Sequence, residues 1–322
     1  MSGCGRYIKV QPFLPLSHMA DVKPVTPGWA NIFRPWTLHG AVIPVLIGGA
    51  VAFKDGNFCW WIFLMVLICG CLLQSAANIL NTYGDYIKGA DTVDNESRSP
   101  ELVSGMLNPK SVFWAGAACL AIVALCGLVF IWYIGWGILI FGLLGLAGAS
   151  LYTVGPSYKY HGLGQFSVFI MMGVLMPLGT YYVMSGQLSW EVFLLSLPNA
   201  FMITAVLAGN ETRDYYEDRK VHVGTQSQHL SYRASMFWYR FTCTVSFPIL
   251  AVLLVCGAAP WPCVLAFLSL YDAYVMWQNS RQAPADAGRN RLLVPLAFKL
   301  NWHFGVLLVA GCLIGYYLAG MI

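Results

Sequence analysis

The sequence predicts an all-α fold, a polytopic membrane bundle of about nine transmembrane helices with its N-terminus in the cytoplasm. Three observations carry this: an extreme composition, apolar runs of membrane-crossing length, and Lys and Arg confined to alternate connections. Of the 322 residues, 58% are hydrophobic and only 10% charged, and the mean hydropathy is +0.64, far outside the soluble average. No polar linker of domain-separating length appears. The chain therefore divides into a cytoplasmic arm with an interfacial segment, residues 1–34, and one membrane domain, residues 35–322.

The first 26 residues carry Arg6, Lys9 and Lys23 but no apolar core followed by a small-residue cleavage site, so the first hydrophobic run is expected to stay in the mature protein. A spanning helix needs about 20 apolar residues, and nine segments qualify. The span 35–53 contains Gly48 and Gly49, and 58–84 runs into a first cluster of acids. The span 111–133 is apolar throughout, and 136–153 contains Gly145 and Gly148. Next come 163–185 with Pro177, and 190–209, which leads into a second acidic cluster. The last three are 235–257 with Pro248, 261–278 with Asp272, and 299–320 with His303. None shows a clear amphipathic period, as expected of helices that face lipid and each other. The internal Gly and Pro permit close packing or kinks.

Orientation follows from charge. The arm and the connections 85–110, 154–162, 210–234 and 279–299 hold sixteen of the eighteen Lys and Arg. Arg240 lies just inside span seven near the same side, and only Lys54 lies on the other. The positive-inside rule then places the N-terminus and both acidic clusters in the cytoplasm. Because the basic residues are dispersed rather than striped, the net charge of +4 gives no footprint for nucleic acid. Most of the ten cysteines fall inside apolar runs without CxxC spacing, so they read as small packing residues.

Nine of the fourteen carboxylates sit in the two clusters. The first runs Asn78-x-x-Asn81-Thr82-Tyr83-Gly84-Asp85-x-x-x-Gly89-x-Asp91, with Asp94, Glu96 and Glu101 after it; the second runs Asn210-Glu211-x-Arg213-Asp214-x-x-Glu217-Asp218. At about 100° per residue, Asn78, Asn81, Thr82 and Asp85 share one helical face, as Asn210, Asp214 and Asp218 nearly do. Gly89 offers a break that would return Asp91 to the group. Asn-x-x-x-Asp-Tyr thus recurs at two span ends on one membrane side. Hard oxygen ligands in two sets suit magnesium, which is held by one or two carboxylates together with substrate phosphates. Arg98, Lys159 and Arg213 could contact diphosphate oxygens, the arginines in bidentate fashion. Asp272 is a membrane carboxylate without a motif, either functional or hydrogen-bonded for structure. His39 and His303 lack metal-ligand spacing.

These residues resemble the UbiA superfamily of intramembrane prenyltransferases along most of the chain. Arg34-Pro35-Trp-Thr37-Leu38 with Pro44 to Gly48 is similar to the start of that family's first helix. The two acidic clusters resemble its two Asp-rich motifs, the first in the form of the menaquinone branch. Arg98-Ser-Pro-Glu-Leu-Val103-Ser104-Gly105 is similar to the stretch that follows the first motif. Tyr152 to Pro156, His161 to Gly164, and Leu178 to Tyr182 resemble the middle of 1,4-dihydroxy-2-naphthoate prenyltransferases. The resemblance implies helices around a central cavity, Mg2+ and an isoprenyl diphosphate at its cytoplasmic end, and a prenyl tail in an apolar tunnel. It further implies an allylic cation attacked by an electron-rich aromatic acceptor, whose attacked carbon loses CO2 in the menaquinone branch. Carried onto this chain, Asn81, Asp85, Asp91, Asn210, Asp214 and Asp218 would organise metal and diphosphate, with Asp85 and Asp214 catalytic. Arg98, Lys159 and Arg213 would touch the diphosphate, and Asn78, Tyr83 and Tyr152 would line or shield the cation site.

The pattern departs in three places. Thr82 stands where many members have Asp, Gln165 follows Gly-Leu-Gly where an acid is common, and no base precedes Thr225. The acceptor expected first is 1,4-dihydroxy-2-naphthoate, and these departures keep 4-hydroxybenzoate, homogentisate and a non-quinone lipid precursor as alternatives. A transporter with a cation site would also use related helix repeats, but its site belongs near the bilayer midplane. A CDP-alcohol phosphotransferase would need a DG-x-x-AR signature, which the chain lacks. Prenyl length and oligomeric state are not encoded in any motif of this sequence.

Overall fold

A computed structural model describes residues 28–91 and 100–320. After a short turn of helix at Trp29–Phe33, the main helices are α1 (His39–Lys54), α2 (Trp60–Ile87), α3 (Pro109–Ile134), α4 (Ile138–Ser150), α5 (Gly164–Ser185), α6 (Trp190–Arg213), α7 (Tyr232–Val255), α8 (residues 261–282) and α9 (Leu293–Leu318). Among the described residues, seven are long and apolar enough to cross a membrane, and they coincide with seven of the nine expected spans. The other two are built differently. Helix α4 has 13 residues, about 20 Å at 1.5 Å per residue against a hydrocarbon core of about 30 Å. Helix α8 begins as a 3-10 helix, Trp261–Ser269, and becomes α-helical at Leu270.

Burial orders the bundle. Helices α6 and α1 are the most enclosed, with 72% and 67% of their apolar windows buried, while α3, at 17%, faces outward. Helix α6 packs against α5, α7 and α9 at once, and α1 against α5 and α9. Leu195, Met202, Leu250, Leu300 and Phe304 form part of the continuous core between them. Pro177 lacks an N–H and crowds the carbonyl one turn earlier, and the preceding segment Phe169–Leu175 widens into a π-helix, an accommodation known for such clashes.

The two ends of the bundle differ in polarity. At the end away from the acidic motifs, Lys54 pairs with Glu191 and lies 3.3 Å from Asp55; Tyr316 donates to Glu191 at 2.8 Å and Tyr181 to Asp55 at 2.7 Å. This closes α1, α5, α6 and α9 together. Asp272 is also accounted for: Lys299 lies 3.0 Å from one carboxylate oxygen and His303 Nδ1 2.6 Å from the other, tying α8 to α9. His39 packs edge-on against Phe298 and Trp302. At the other end, α2 and α6 bring the two acidic clusters to one cavity, and the connection 151–163 reaches the end of α2 through Thr153 and Lys159.

Candidate active site

The end of α2 presents Asn78, Asn81 and Asp85 along one face. Asn78 donates to the Phe33 carbonyl at 3.2 Å and to Thr37 Oγ1 at 2.9 Å, fixing the chain that precedes α1. Asn81 donates to Asp85 Oδ2 at 3.0 Å. Its own carbonyl accepts from Thr153 at 2.9 Å and from Lys159 Nζ at 2.8 Å. Lys159 also lies 2.9 Å from both oxygens of Asp85, which additionally accepts from the Tyr160 hydroxyl. Gly84 makes this approach possible. A Cβ there would sit 2.6 Å from Thr153 Cγ2 and 3.0 Å from its carbonyl oxygen, so any larger residue pushes the connection off the helix.

Gly89 takes φ +69, a conformation that favours glycine. The N–H groups of Ala90 and Asp91 then both reach back to the Asp85 carbonyl, at 2.9 and 3.3 Å. Asp91 is thereby folded against the helix end and buried.

The end of α6 repeats the arrangement. Arg213 donates through Nη2 to Asn210 Oδ1 at 2.5 Å, and through Nε and Nη2 to the two oxygens of Asp214 at 2.8 and 2.7 Å. Asn290 holds the Arg213 carbonyl at 2.9 Å. Asp218 lies buried on the next short helix, Tyr215–Lys220. In both clusters, then, an Asn and the Asp four residues later converge their oxygens on one cationic nitrogen. Hard oxygens arranged to grip a cation are the donor set that magnesium uses. Among the described residues no three His, Cys, Asp or Glu side chains gather into a cage, so a metal held here would take further ligands from elsewhere.

Both clusters stand at the head of a cavity of about 830 Å3. Asn78, Asn81, Asp85, Tyr152, Lys159, Asn210, Arg213, Asp214 and Asp218 line it, and its body is apolar, with Val66, Leu73, Ile131, Met171 and Ile203 among its walls. The size matches sites for small organic ligands. Burial pushes the Tyr158 phenol above its ordinary range, with a smaller opposing effect from the Ser167 hydroxyl, so the wall beside Tyr152 stays uncharged.

The profile of the UbiA prenyltransferase family matches residues 41–302. The chain belongs to that family. It is accordingly a prenyltransferase and an integral membrane protein. Among curated relatives, the 1,4-dihydroxy-2-naphthoate octaprenyltransferase of Bacillus subtilis is 27% identical over 295 residues, covering 89% of this chain and 92% of the relative. That of Mycobacterium tuberculosis is 31% identical over 244 residues, covering 75% and 82%. The UbiA prenyltransferase domain-containing protein 1 of Xenopus tropicalis is 28% identical, covering 85% and 80%. The fold is shared with a UbiA homolog from Aeropyrum pernix (TM-score 0.63, 19% identity, 88% of this chain and 98% of that one). It is shared too with a UbiA homolog from Archaeoglobus fulgidus bound to GPP and Mg2+ (TM-score 0.58, 14% identity, 87% and 99%).

Arg98 lies outside the described residues. Of the described residues singled out from the sequence for the site, two stand apart from the lining of this prenyltransferase's cavity. Asp91 is packed against the end of α2. Tyr83 turns to Phe113 of α3, ring centroids 5.2 Å apart. Conversely, the cavity gathers Arg34, Glu101 and Glu211, which the motif reading did not place in the site. Arg34 adopts φ 51 and ψ 60, a left-handed corner uncommon for a residue with a side chain. Its N–H reaches the Ala30 carbonyl and its own carbonyl receives the Thr37 N–H, so the corner is held from both sides. Asp85 and Asp91 act on it as near charges. Glu101 accepts from Asn31 at 2.8 Å and from the Gly28 N–H at 3.2 Å, anchoring the segment before that corner. A base standing directly before the Pro35 that opens span one was the available signal for Arg34.

Proposed function

We propose that this enzyme transfers a polyprenyl group from an isoprenyl diphosphate to an aromatic acceptor in a Mg2+-dependent reaction, with 1,4-dihydroxy-2-naphthoate as the acceptor, as in menaquinone biosynthesis. One observation carries the reading: two matching Asn-x-x-x-Asp sets face the head of a single cavity whose body is apolar. A diphosphate fits the charged head and a prenyl chain the apolar body. The acceptor is suggested by the names of the relatives that cover most of the chain.

In this reading Asn81, Asp85 and Asp91 on one side, and Asn210, Asp214 and Asp218 on the other, hold the magnesium-bound diphosphate. When bound, the metal neutralises the diphosphate and makes it a better leaving group. The chain's own part is positional. Lys159, Arg213 and Arg34 supply cations to phosphate oxygens, Arg98 adding another from the acidic connection. Asn78 keeps the Arg34 corner in place. The apolar walls keep water from the allylic centre. Tyr152, over whose ring Lys159 Nζ stands 5.9 Å from the centroid, offers its ring face to developing positive charge. By the positive-inside rule this head faces the cytoplasm, at the inner membrane if the cell is bacterial.

The test is direct. Purified protein is incubated with a prenyl diphosphate, Mg2+ and separate aromatic acids, and products are identified by mass. A prenylated, decarboxylated naphthoate that requires Mg2+ is the expected product. A product from 4-hydroxybenzoate, homogentisate or a lipid precursor, with none from dihydroxynaphthoate, would overturn the acceptor.

A further inference from the structure

Glu211 follows Asn210 on α6, is 3% exposed and lines the cavity. Its two carboxylate oxygens are treated differently by the protein. Oε2 accepts from Gln165 Nε2 at 2.7 Å and from the Ser227 N–H at 3.1 Å. Gln165 cannot turn over without loss, because its carbonyl oxygen accepts from Trp238 Nε1 at 2.7 Å. The relay from Trp238 through Gln165 therefore fixes the carboxylate's orientation. Oε1 is buried and has no hydrogen-bond partner within the chain. A buried acceptor without a donor is rare and costly in native proteins.

A Cβ built on Gly164 would lie 3.4 Å from the Tyr152 hydroxyl oxygen and 3.5 Å from Glu211 Oε1. Those two oxygens thus flank the place a side chain on Gly164 would take, and Tyr152 and Glu211 both line the cavity. Neither an ionised diphosphate nor a prenyl carbon offers Oε1 a hydrogen-bond donor. A hydroxyl group satisfies Oε1. Resting on the prenyl-transfer reading above, we infer that Glu211 Oε1 receives a hydroxyl of the aromatic acceptor and so determines both which acceptors bind and which ring edge meets the donor. An acceptor's carboxylate, which also lacks a donor, is left to face Arg34, Lys159 and Arg213.

The test compares 1,4-dihydroxy-2-naphthoate with 2-naphthoate, which lacks both hydroxyls, by equilibrium binding to the full chain and its Glu211→Gln variant. The variant keeps the shape. Because Gln165 and Ser227 both demand an oxygen at the Oε2 position, it presents an NH2 group at the Oε1 position. Wild-type protein is expected to prefer the dihydroxy compound by about 10-fold, the range of one hydrogen bond. The variant should lose most of that preference while retaining its KM for the prenyl diphosphate and its Mg2+ requirement. A Gln165→Leu variant, which frees the carboxylate to swing, should show an intermediate loss.

An unchanged hydroxyl preference in Glu211→Gln would overturn the assignment. So would an equal weakening of prenyl diphosphate, since that marks a structural role, or a shifted Mg2+ requirement, since that marks a metal ligand. A wild-type enzyme that prenylates no aromatic acid at all would instead overturn the parent reading of the reaction, so the two failures are distinguishable.

Discussion

At the scale of single residues, the site is organised by two pairs in which an Asn and an Asp share a cation. Asp85 is 3% and Asp214 7% exposed, so neither carboxylate is a solvated surface charge. Replacing either by Ala removes the oxygens proposed to hold the metal while leaving the helix intact. Asp85→Ala and Asp214→Ala should each lower Mg2+-dependent turnover by at least about 100-fold, with the protein still extracted folded from the membrane; near-normal rates in both would sink the metal assignment. Lys159 gives a test that does not use activity. It stands between Asn81 and Asp85, where a metal would compete with it. Lys159→Met leaves those oxygens buried without their cation, a loss of about 3 kcal/mol for a buried pair broken on one side. Added Mg2+ should then raise the melting temperature of Lys159→Met more than that of the wild type, by mass action on the folded state. Equal shifts in the two proteins would argue against metal at this position.

At the scale of elements, the site depends on how closely the connection 151–163 can lie on α2, and Gly84 sets that distance. Gly84→Ala puts a methyl group 2.6 Å from Thr153 Cγ2, an overpacking that costs about 1–3 kcal/mol unless the connection moves. If it moves, Lys159 leaves the Asn81 and Asp85 oxygens. The expected result is a KM for prenyl diphosphate raised several-fold with a smaller change in kcat, measured under saturating acceptor; an unchanged KM would show that the connection does not position the donor. This contact also shows where sequence reasoning stops. Helical faces follow from spacing, so Asn78, Asn81 and Asp85 could be aligned on α2 from the sequence, and Gly89 could be read as the turn that returns Asp91. Lys159 reaches the first cluster across 74 residues, and Glu211 is fixed by Gln165 and Ser227 from two other segments. Such contacts depend on how helices dock, which no local period encodes. Tyr83 shows the converse. It belongs to the motif in sequence, but its position on α2 points to α3 and Phe113 rather than to the cavity. Seven spans were legible from hydropathy, while the shortness of α4 and the 3-10 start of α8 were not, since hydropathy counts apolar residues and not the helix type they adopt.

At the scale of the whole molecule, two features govern how substrates arrive: the polar head on one membrane face and the apolar body walled in part by α3 and α4. The first predicts that an epitope inserted after Lys220 is reached by antibody only once the membrane is opened on the cytoplasmic side, whereas one inserted after Asn57 is reached from outside. The opposite pattern would invert the topology drawn from Lys and Arg. The second feature concerns the prenyl tail. Leu128 of α3 and Leu139 and Leu143 of α4 line the cavity and are 62%, 38% and 57% exposed. The cavity wall between α3 and α4 is thus formed by exposed side chains, and this is the expected opening toward lipid. A donor longer than the cavity would extend its tail through this gap into lipid. Gly142 lies on that path, lines the cavity, and has nothing within 4 Å of where a Cβ would stand. Gly142→Trp can therefore fold without a clash at its first side-chain atom while filling the gap beyond. It should lower kcat/KM for a long polyprenyl diphosphate by about 10-fold or more and leave that for a short donor such as geranyl diphosphate within about 2-fold, since only the long chain must pass the gap. Equal losses for both donors would place the tail elsewhere in the bundle.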